Sequence, residues 1–419
     1  MSSVDEGTLA YVANEHPADV DPLAVYTAST AEHRAYFGRD EVSMAAIGAA
    51  AIIELEPTPG IWAELARARS RLAARVEFEL VSPLLFGGVS FGTAFSGRGP
   101  AWRHFRGARF VLPELMVVRA GAQVYSLSIG GPTTLRPASN ERPEPSGQAP
   151  SFSDDPAYLD LVRRALAAIA DGQFEKVVPA RACTVDGWDP DVHLGPTLAR
   201  LRDAYRHCMT FAVSAGEETF FAASPERLVS LRYDELRTLA LAGSAPRSAD
   251  EPTDRRLAED LLSSTKNRAE HDFVVEDVRT KLAELGYQPD IPAAPEVAKL
   301  ANIQHLRTAI TAPAGGESEI FRIAGALHPT SAVGGTPTDA ATAWLSQHEG
   351  FDRGWYASPV GWVDLAGKGE LRVGLRSAVA DERGAHLFAG AGVVADSDPR
   401  SELDETTVKL TALGRRLYP

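Results

Sequence analysis

ELRVGLRSAVAD (370–381) runs through a polar turn into AHLFAGAGVV (385–394), and SDPRSELDETTVKLTALGRRL (397–417) follows. The first two segments are rich in β-branched and apolar residues around a turn, and they read as a hairpin. The third has Ser397 or Asp398 as cap and Pro399 in the first turn, and it reads as a helix. Upstream the same alternation repeats. IWAELARARSRLAARV (61–76) and PAYLDLVRRALAAIADG (156–172) carry helical apolar stripes, whereas AAIGAAAIIEL (45–55), KVVPARACTV, MTFAVSA, TFFAAS and ELRTLALAG read as strands. LGPTLARLRDAYR is predicted to be a helix, and 250–286 mostly one long helix stopped by Gly286. Strands joined by short turns and interleaved with a few long helices predict mixed α/β (α+β) architecture with largely antiparallel sheet. TTLRPASNERPEPSGQAPSFSDDP (133–156) is the clearest linker.

The chain has 419 residues, 44% of them hydrophobic, and a formal net charge of −14. Such acidity disfavours nucleic acid and anionic membranes as partners. A small anionic substrate needs local compensation from placed arginines, lysines or a metal ion. No segment offers ~18 consecutive apolar residues, so no membrane span is expected. Cys183 and Cys208 form no CxxC motif and imply no disulfide framework. With no basic and apolar leader at the N-terminus, a cytoplasmic protein is expected.

On the last helix Glu402, Glu405 and Lys409 lie at i, i+3 and i+7, on one face. Two such carboxylates are either surface charge or ligands for a hard divalent cation, which takes oxygen donors. Asn267 and Glu270 repeat the i, i+3 spacing in KNRAEH, which by itself is equally a solvated face. His271 beside them reads as a structural histidine, because no HExxH spacing is present. Arg376 alternates with Leu371, Val373 and Leu375 and so faces away from the apolar side, where it can hold a carboxylate or a surface partner. FAGAG (388–392) places glycines for close backbone approach, but a third glycine and a following helix are missing, so a Rossmann site is discounted. Lys176 and Glu226 are either surface charges or, if they converge on one pocket, a base and an acid.

The segments KVVPAR, FFAASPERL, LALAGSAPR, DLLSSTKNRAEHDFVV, NIQHL, GALHPTSAVGGTP, EGFDRGWYASPVGWVD, LRVGLRSA and LFAGAGVVADSDPRSELDETTVKL, in that order, resemble the chorismate-utilising enzymes. The resemblance is continuous over 156–419. It implies a single large domain with central antiparallel sheets and outer helices, in which 1–150 is the variable N-terminal part and 151–419 the catalytic core. The linker is then a surface excursion.

The resemblance also implies Mg²⁺ that binds the ring carboxylate of chorismate, with Glu270 and Glu405 as direct ligands and Glu402 holding metal-bound water. Asn267 stands where many relatives have aspartate. Gly243 and Ser244 match a turn at the ring carboxylate. Tyr356, Arg376 and the backbone from Gly390 to Gly392 match the enolpyruvyl carboxylate pocket. Lys409 matches a lysine near carboxylate and metal, and His328 a further active-site residue.

Within the family, Lys176 matches the lysine that activates water in isochorismate and salicylate synthases, whereas anthranilate synthases have glutamine there. Ala242 stands where aminodeoxychorismate synthase has its nucleophilic lysine. The resemblance therefore implies isochorismate formation with Lys176 as base and Glu226 as acid, in a monomer without an amidotransferase subunit. Salicylate synthase, and an inactive chorismate-binding homologue, are the alternatives. The product serves siderophore or menaquinone biosynthesis.

Overall fold

The computed structural model describes residues 9–78, 81–93, 95, 97–100, 102–129, 147, 150–299, 303–315 and 319–418. Most of the linker at 133–156 lies outside the described residues. Two large sheets dominate. One has eleven strands and starts with Ala180–Asp186, Gly384–Gly390, Ser377–Asp381, Glu218–Ser224 and Met209–Ala215. It continues through His33–Arg39, Val42–Ile47, Leu115–Ala120, Gln123–Ile129 and Leu9–His16 to Val76–Glu77. The other has nine, in the order Glu296–Lys299, Ile303–Pro313, Glu235–Pro246, Arg227–Arg232, Gly369–Val373, Pro359–Asp364, Leu84–Val89, Ala108–Leu112 and Ala51–Leu55. All their pairings are antiparallel except the short Leu9–Val76 contact. Strands from before and after the linker share both sheets and are paired at one junction in each, as where Phe211 pairs with Phe37, so the molecule is one domain.

The two sheets pack face to face. Phe37 from the first touches Phe211 of its own sheet and Phe86 and Trp362 of the second, with ring centroids 5.4–5.7 Å apart. Met209–Ala215 and Glu218–Ser224 are buried at every position, which explains their unbroken apolar reading. Behind the first sheet Pro22–Ala28, Pro190–Ala204 and the last helix, Pro399–Gly414, close a second core around Trp188, Leu198 and Leu413. The helices Pro156–Ala170 and Thr338–His348 form a third core with Phe174 and Leu403.

Four expectations change. AAIGAAAIIEL is two strands in different sheets, because Gly48 adopts φ 75°, a left-handed corner that redirects the chain. KVVPARACTV breaks at Pro179, which lacks an N–H. Lys176–Val177 pairs with Gly335–Thr336, and Ala180–Asp186 joins the large sheet. The long helix over 250–286 is two helices, Glu251–Ser263 and Thr265–Glu284. Ser264 takes an extended conformation (ψ 114°), and its hydroxyl accepts from the Asn267 N–H to cap the second helix. The hairpin expected over 370–394 is narrower, spanning Ser377–Gly390, because Gly369–Val373 belongs to the opposite sheet. The last helix begins as expected, with Asp398 accepting from the Ser401 N–H. Among the described residues no helix is long and apolar enough to cross a membrane.

Gly335 carries φ 136°, and a Cβ there would run into the Lys176 carbonyl and Ala341. Gly335→Ala is expected to lower unfolding free energy by roughly 2–4 kcal/mol through backbone strain and overlap. Denaturant unfolding followed by circular dichroism checks this, and an unchanged midpoint would show that the pair tolerates a side chain.

Candidate active site

One cavity opens between the two sheets and the helices Thr265–Glu284 and Pro399–Gly414. Its charged lining is Lys176, Glu226, Glu270, Arg376, Glu405 and Lys409. Gly243, Ser244, Tyr356, Gly390 and Gly392 line it as well. Eleven of the thirteen residues singled out from the sequence thus meet at one place, although they come from segments up to 233 positions apart. Glu402 and His328 are not among the lining residues.

The sequence explains each placement locally. Glu405 and Lys409 sit at i, i+4 on the last helix, with Nζ 2.7 Å from the carboxylate. The same Nζ donates to the Gly390 carbonyl at 2.8 Å, tying helix to glycine strand. Buried Arg181 fixes that helix from below, donating to Thr406 Oγ1 at 3.0 Å and Thr407 Oγ1 at 2.8 Å. Glu270 faces inward from the other helix and accepts from Lys176 Nζ at 2.9 Å. Gly392 approaches this pair so closely that a Cβ there would lie 3.1 Å from Lys176 Cε. Gly243, at φ 74°, forms a β-bulge between Ala242 and Ser244 that turns the strand edge into the cavity. Asn267 packs beneath this bulge, with Nδ2 donating to Ser264 Oγ at 2.9 Å.

Arg376 reaches the cavity for a reason other than strand alternation. It occupies a corner with φ 51° where the chain passes from one sheet to the other. Its guanidinium lies 5.6 Å from the Tyr205 ring centre and has no acidic partner within 4.0 Å among the described residues. Its Nη1 donates to Cys208 Sγ at 4.0 Å, so a carboxylate entering the cavity meets a planar cation without an acidic partner among the described residues.

Electrostatics separates the titratable groups. Glu226 is 4% exposed, and burial pushes its carboxyl up to about 8, against the opposing pull of Lys176 and Lys409. It is therefore a protonated acid at neutral pH. Burial also pushes Glu405 up, but Lys409 beside it wins, and its carboxyl titrates below the ordinary value. Glu402, one turn earlier, is raised to about 7 by burial and by the charge of Glu405, while Ser397 opposes through a hydrogen bond.

His305 was not singled out from the sequence, although it lies in NIQHL. It lines the cavity with Nδ1 2.9 Å from Ser244 Oγ, and burial plus the nearby Arg376 and Lys409 hold it neutral, down to about 3. Only the strand pairing that sets Ser244 opposite His305 brings the two together, and that register is invisible in one segment. His328 lies outside the lining, with its ring edge-on to Phe91 and Trp62 and Nε2 3.5 Å from Ser358 Oγ. His271 is the structural histidine expected, fully buried between the Ala242 carbonyl and Thr308 Oγ1.

Among the described residues no three His, Cys, Asp or Glu side chains converge as a ready-made metal cluster. Glu270 and Glu405 nevertheless face one cavity and offer oxygen alone. That donor set fits a cation such as Mg²⁺, which is held by one or two carboxylates and completes its shell with water and substrate oxygens.

A sequence model of the family described as chorismate binding enzyme matches residues 2–129 and 133–418. The chain is 38% identical over 361 residues to the salicylate biosynthesis isochorismate synthase of Pseudomonas aeruginosa, covering 80% of this chain and 75% of that one. It is 32% identical over 354 residues to isochorismate synthase MenF of Bacillus subtilis, with the same coverage of 80% and 75%. Its fold is similar to that of MenF, the menaquinone-specific isochorismate synthase from Escherichia coli, with a TM-score of 0.80 and 25% identity over 99% of this chain and 95% of that one. With the family model matched over nearly its whole length, the chain belongs to the chorismate-binding enzymes.

Proposed function

We propose that the protein is an isochorismate synthase, an isomerase that adds water at ring carbon 2 of chorismate and removes the hydroxyl at carbon 4. The observation that carries this reading is the convergence of Lys176 and buried, proton-bearing Glu226 on the cavity that also holds Glu270, Glu405, Lys409 and Arg376. A lysine at 176 provides a base for water, and Ala242 provides no nucleophile of its own. The similar proteins named above are isochorismate synthases, which supports the same branch.

Chorismate carries two carboxylates. Arg376, with the backbone at Gly390 to Gly392 and the Tyr356 hydroxyl, receives the enolpyruvyl carboxylate. Gly243 and Ser244 lie at the ring carboxylate, with Lys409 close by. Mg²⁺ held by Glu270 and Glu405, with Glu402 ordering its water, would supply positive charge for the ring carboxylate.

Lys176 takes a proton from water as the oxygen bonds to carbon 2. The ring double bonds shift, the bond from carbon 4 to its hydroxyl breaks, and Glu226 gives its proton so that water departs. One water enters and one leaves, so mass is unchanged, and the two residues exchange roles in reverse. We assign His328 a supporting place behind the cavity wall. The described groups facing the cavity come from 151–419, which supports that part as the catalytic core. The protein acts as a cytoplasmic monomer without an amidotransferase, supplying siderophore or menaquinone biosynthesis.

Incubation with chorismate and Mg²⁺ is expected to yield an isomer of unchanged mass. Loss of pyruvate to a fluorescent phenolic acid would assign salicylate synthase instead, and no conversion would leave a chorismate-binding homologue. Lys176→Ala is expected to lower turnover by about 10²–10⁴-fold, the usual worth of general-base catalysis, with folding and ligand binding retained. Normal turnover in that variant would remove the lysine from the mechanism.

The buried Glu226 carboxyl keeps its proton below about pH 8 and loses it above. The rate from chorismate is accordingly expected to decline as pH rises through about 8, and a kcat profile flat through that region would contradict Glu226 as donor. Glu405→Ala is expected to weaken Mg²⁺ binding at least tenfold by calorimetric titration, whereas unaltered affinity would move the ligand set elsewhere.

A further inference from the structure

A second recess of about 420 Å³ lies behind the wall that carries Glu226, sharing Pro225 and Leu241 with the catalytic cavity. Its charge runs against that of the whole chain. Arg39, Arg227, Arg307, Arg372 and Lys299 line it; Asp40, the one carboxylate among its described lining residues, lies 3.4 Å from Arg39, and Lys299 donates to Asp254, which also serves Arg247, at 2.8 Å. The protein as a whole carries −14, so five cations gathered here are not a sample of an average surface.

Strand register produces the gathering. Arg227 and Arg372 are directly paired across neighbouring strands, a placement in which like charges repel. One buried carboxylate, Glu370, serves Arg227, Arg232 and Arg372 together. Two strands further along, Arg307 pairs with Leu241, and its own partner Glu296 is 3.7 Å away and 78% exposed. Arg39 comes from the opposite sheet to close the recess.

The compensation is incomplete. Arg372 is 2% exposed and its Nη2 contacts the one carboxylate, Glu370, that it shares with Arg227 and Arg232, while its Nε and the Nε of Arg227 make no hydrogen bond among the described residues. A buried guanidinium left in this state is costly, and an anion that accepts from it removes the cost. Burial, with Arg227 and Arg39 adding to it against the pull of Glu370, pushes Arg372 down to about 10, the direction expected where positive charge is in excess.

We infer that this recess is a second binding site, for a small oxyanion carrying two or more negative charges. Guanidinium pairs donate to phosphate and carboxylate oxygens alike, so inorganic phosphate and an organic dicarboxylate share the required chemistry. Leu239, Leu241 and Val297 floor the recess with apolar surface, which leaves room for a hydrocarbon spacer between charges. An occupant would touch Arg227, the residue after Glu226, and Arg372, whose neighbour Val373 donates to the Glu226 carbonyl at 3.1 Å. The site does not rest on the proposed reaction, and binding to it is read without turnover.

The test is calorimetric titration of the whole chain with sodium phosphate and, separately, sodium malonate, with ionic strength held at about 0.1 M by sodium chloride so that general screening is constant. Saturable binding of at least one probe is expected, and whichever binds more tightly distinguishes phosphate from dicarboxylate. Arg39→Gln combined with Arg307→Gln should weaken it at least tenfold. Arg307→Gln alone, at a side chain 44% exposed, gives the same comparison in a milder variant should the pair fold poorly. Arg376→Gln, which strips a cation from the catalytic cavity, should leave the binding intact. Absence of saturable binding by both probes, equal affinity in the Arg39 and Arg307 variants, or loss in Arg376→Gln would each overturn the assignment.

Discussion

A single buried ion pair, Glu349 with Arg353, holds together the segments that surround the cavity. Both side chains are 5% exposed or less. Arg353 Nε donates to Glu349 Oε2 at 2.8 Å, and its two terminal nitrogens reach the carbonyls of Val333 and Val178 at 2.9 and 2.7 Å. Glu349 in turn accepts from the Ala180 N–H at 2.9 Å. Val178 and Val333 line the cavity, and Ala180 is paired with Gly390. The guanidinium lies 4.4 Å from the Phe91 ring centre and 5.6 Å from that of Tyr356. Ion pairs this deep contribute little net stability, because desolvation offsets the attraction, but losing one partner strands a charge in the core. What the pair supplies is position: three loops and a tyrosine are referred to one planar group.

The catalytic cavity extends that logic from position to charge. Each of its two lysines answers a carboxylate on a helix, Lys176 with Glu270 and Lys409 with Glu405. Glu226 is the exception: it has no ion pair among the described residues, and burial raises its carboxyl. An overall acidic chain can thus offer an anion local positive charge, because Lys409 and Arg376 face the cavity whatever the total.

Much of this was legible in the sequence, and the parts that were not share a cause. Glu402, Glu405 and Lys409 could be placed on one helical face because helix geometry is local. The motif order pointed to the fold and to most of the cavity lining. Arg376 was assigned to the cavity from strand alternation, and it lies there through a left-handed corner instead, which periodicity cannot register. The breaks at Gly48 and Ser264 are similar: a single residue's torsion overrides an apolar pattern that continues across it. His305 and the arginine recess depend on which strands become neighbours, a property of the assembled sheets that no window of sequence contains.

The corner at Arg376 joins strands that belong to opposite sheets. Its guanidinium is therefore seated by the spacing between those sheets, which the aromatic contacts of Phe37 with Phe86 and Trp362 help to set. A packing fault at Phe37 would shift the corner and with it the Arg376 guanidinium, so the interior works as a gauge block for the shape of the cavity.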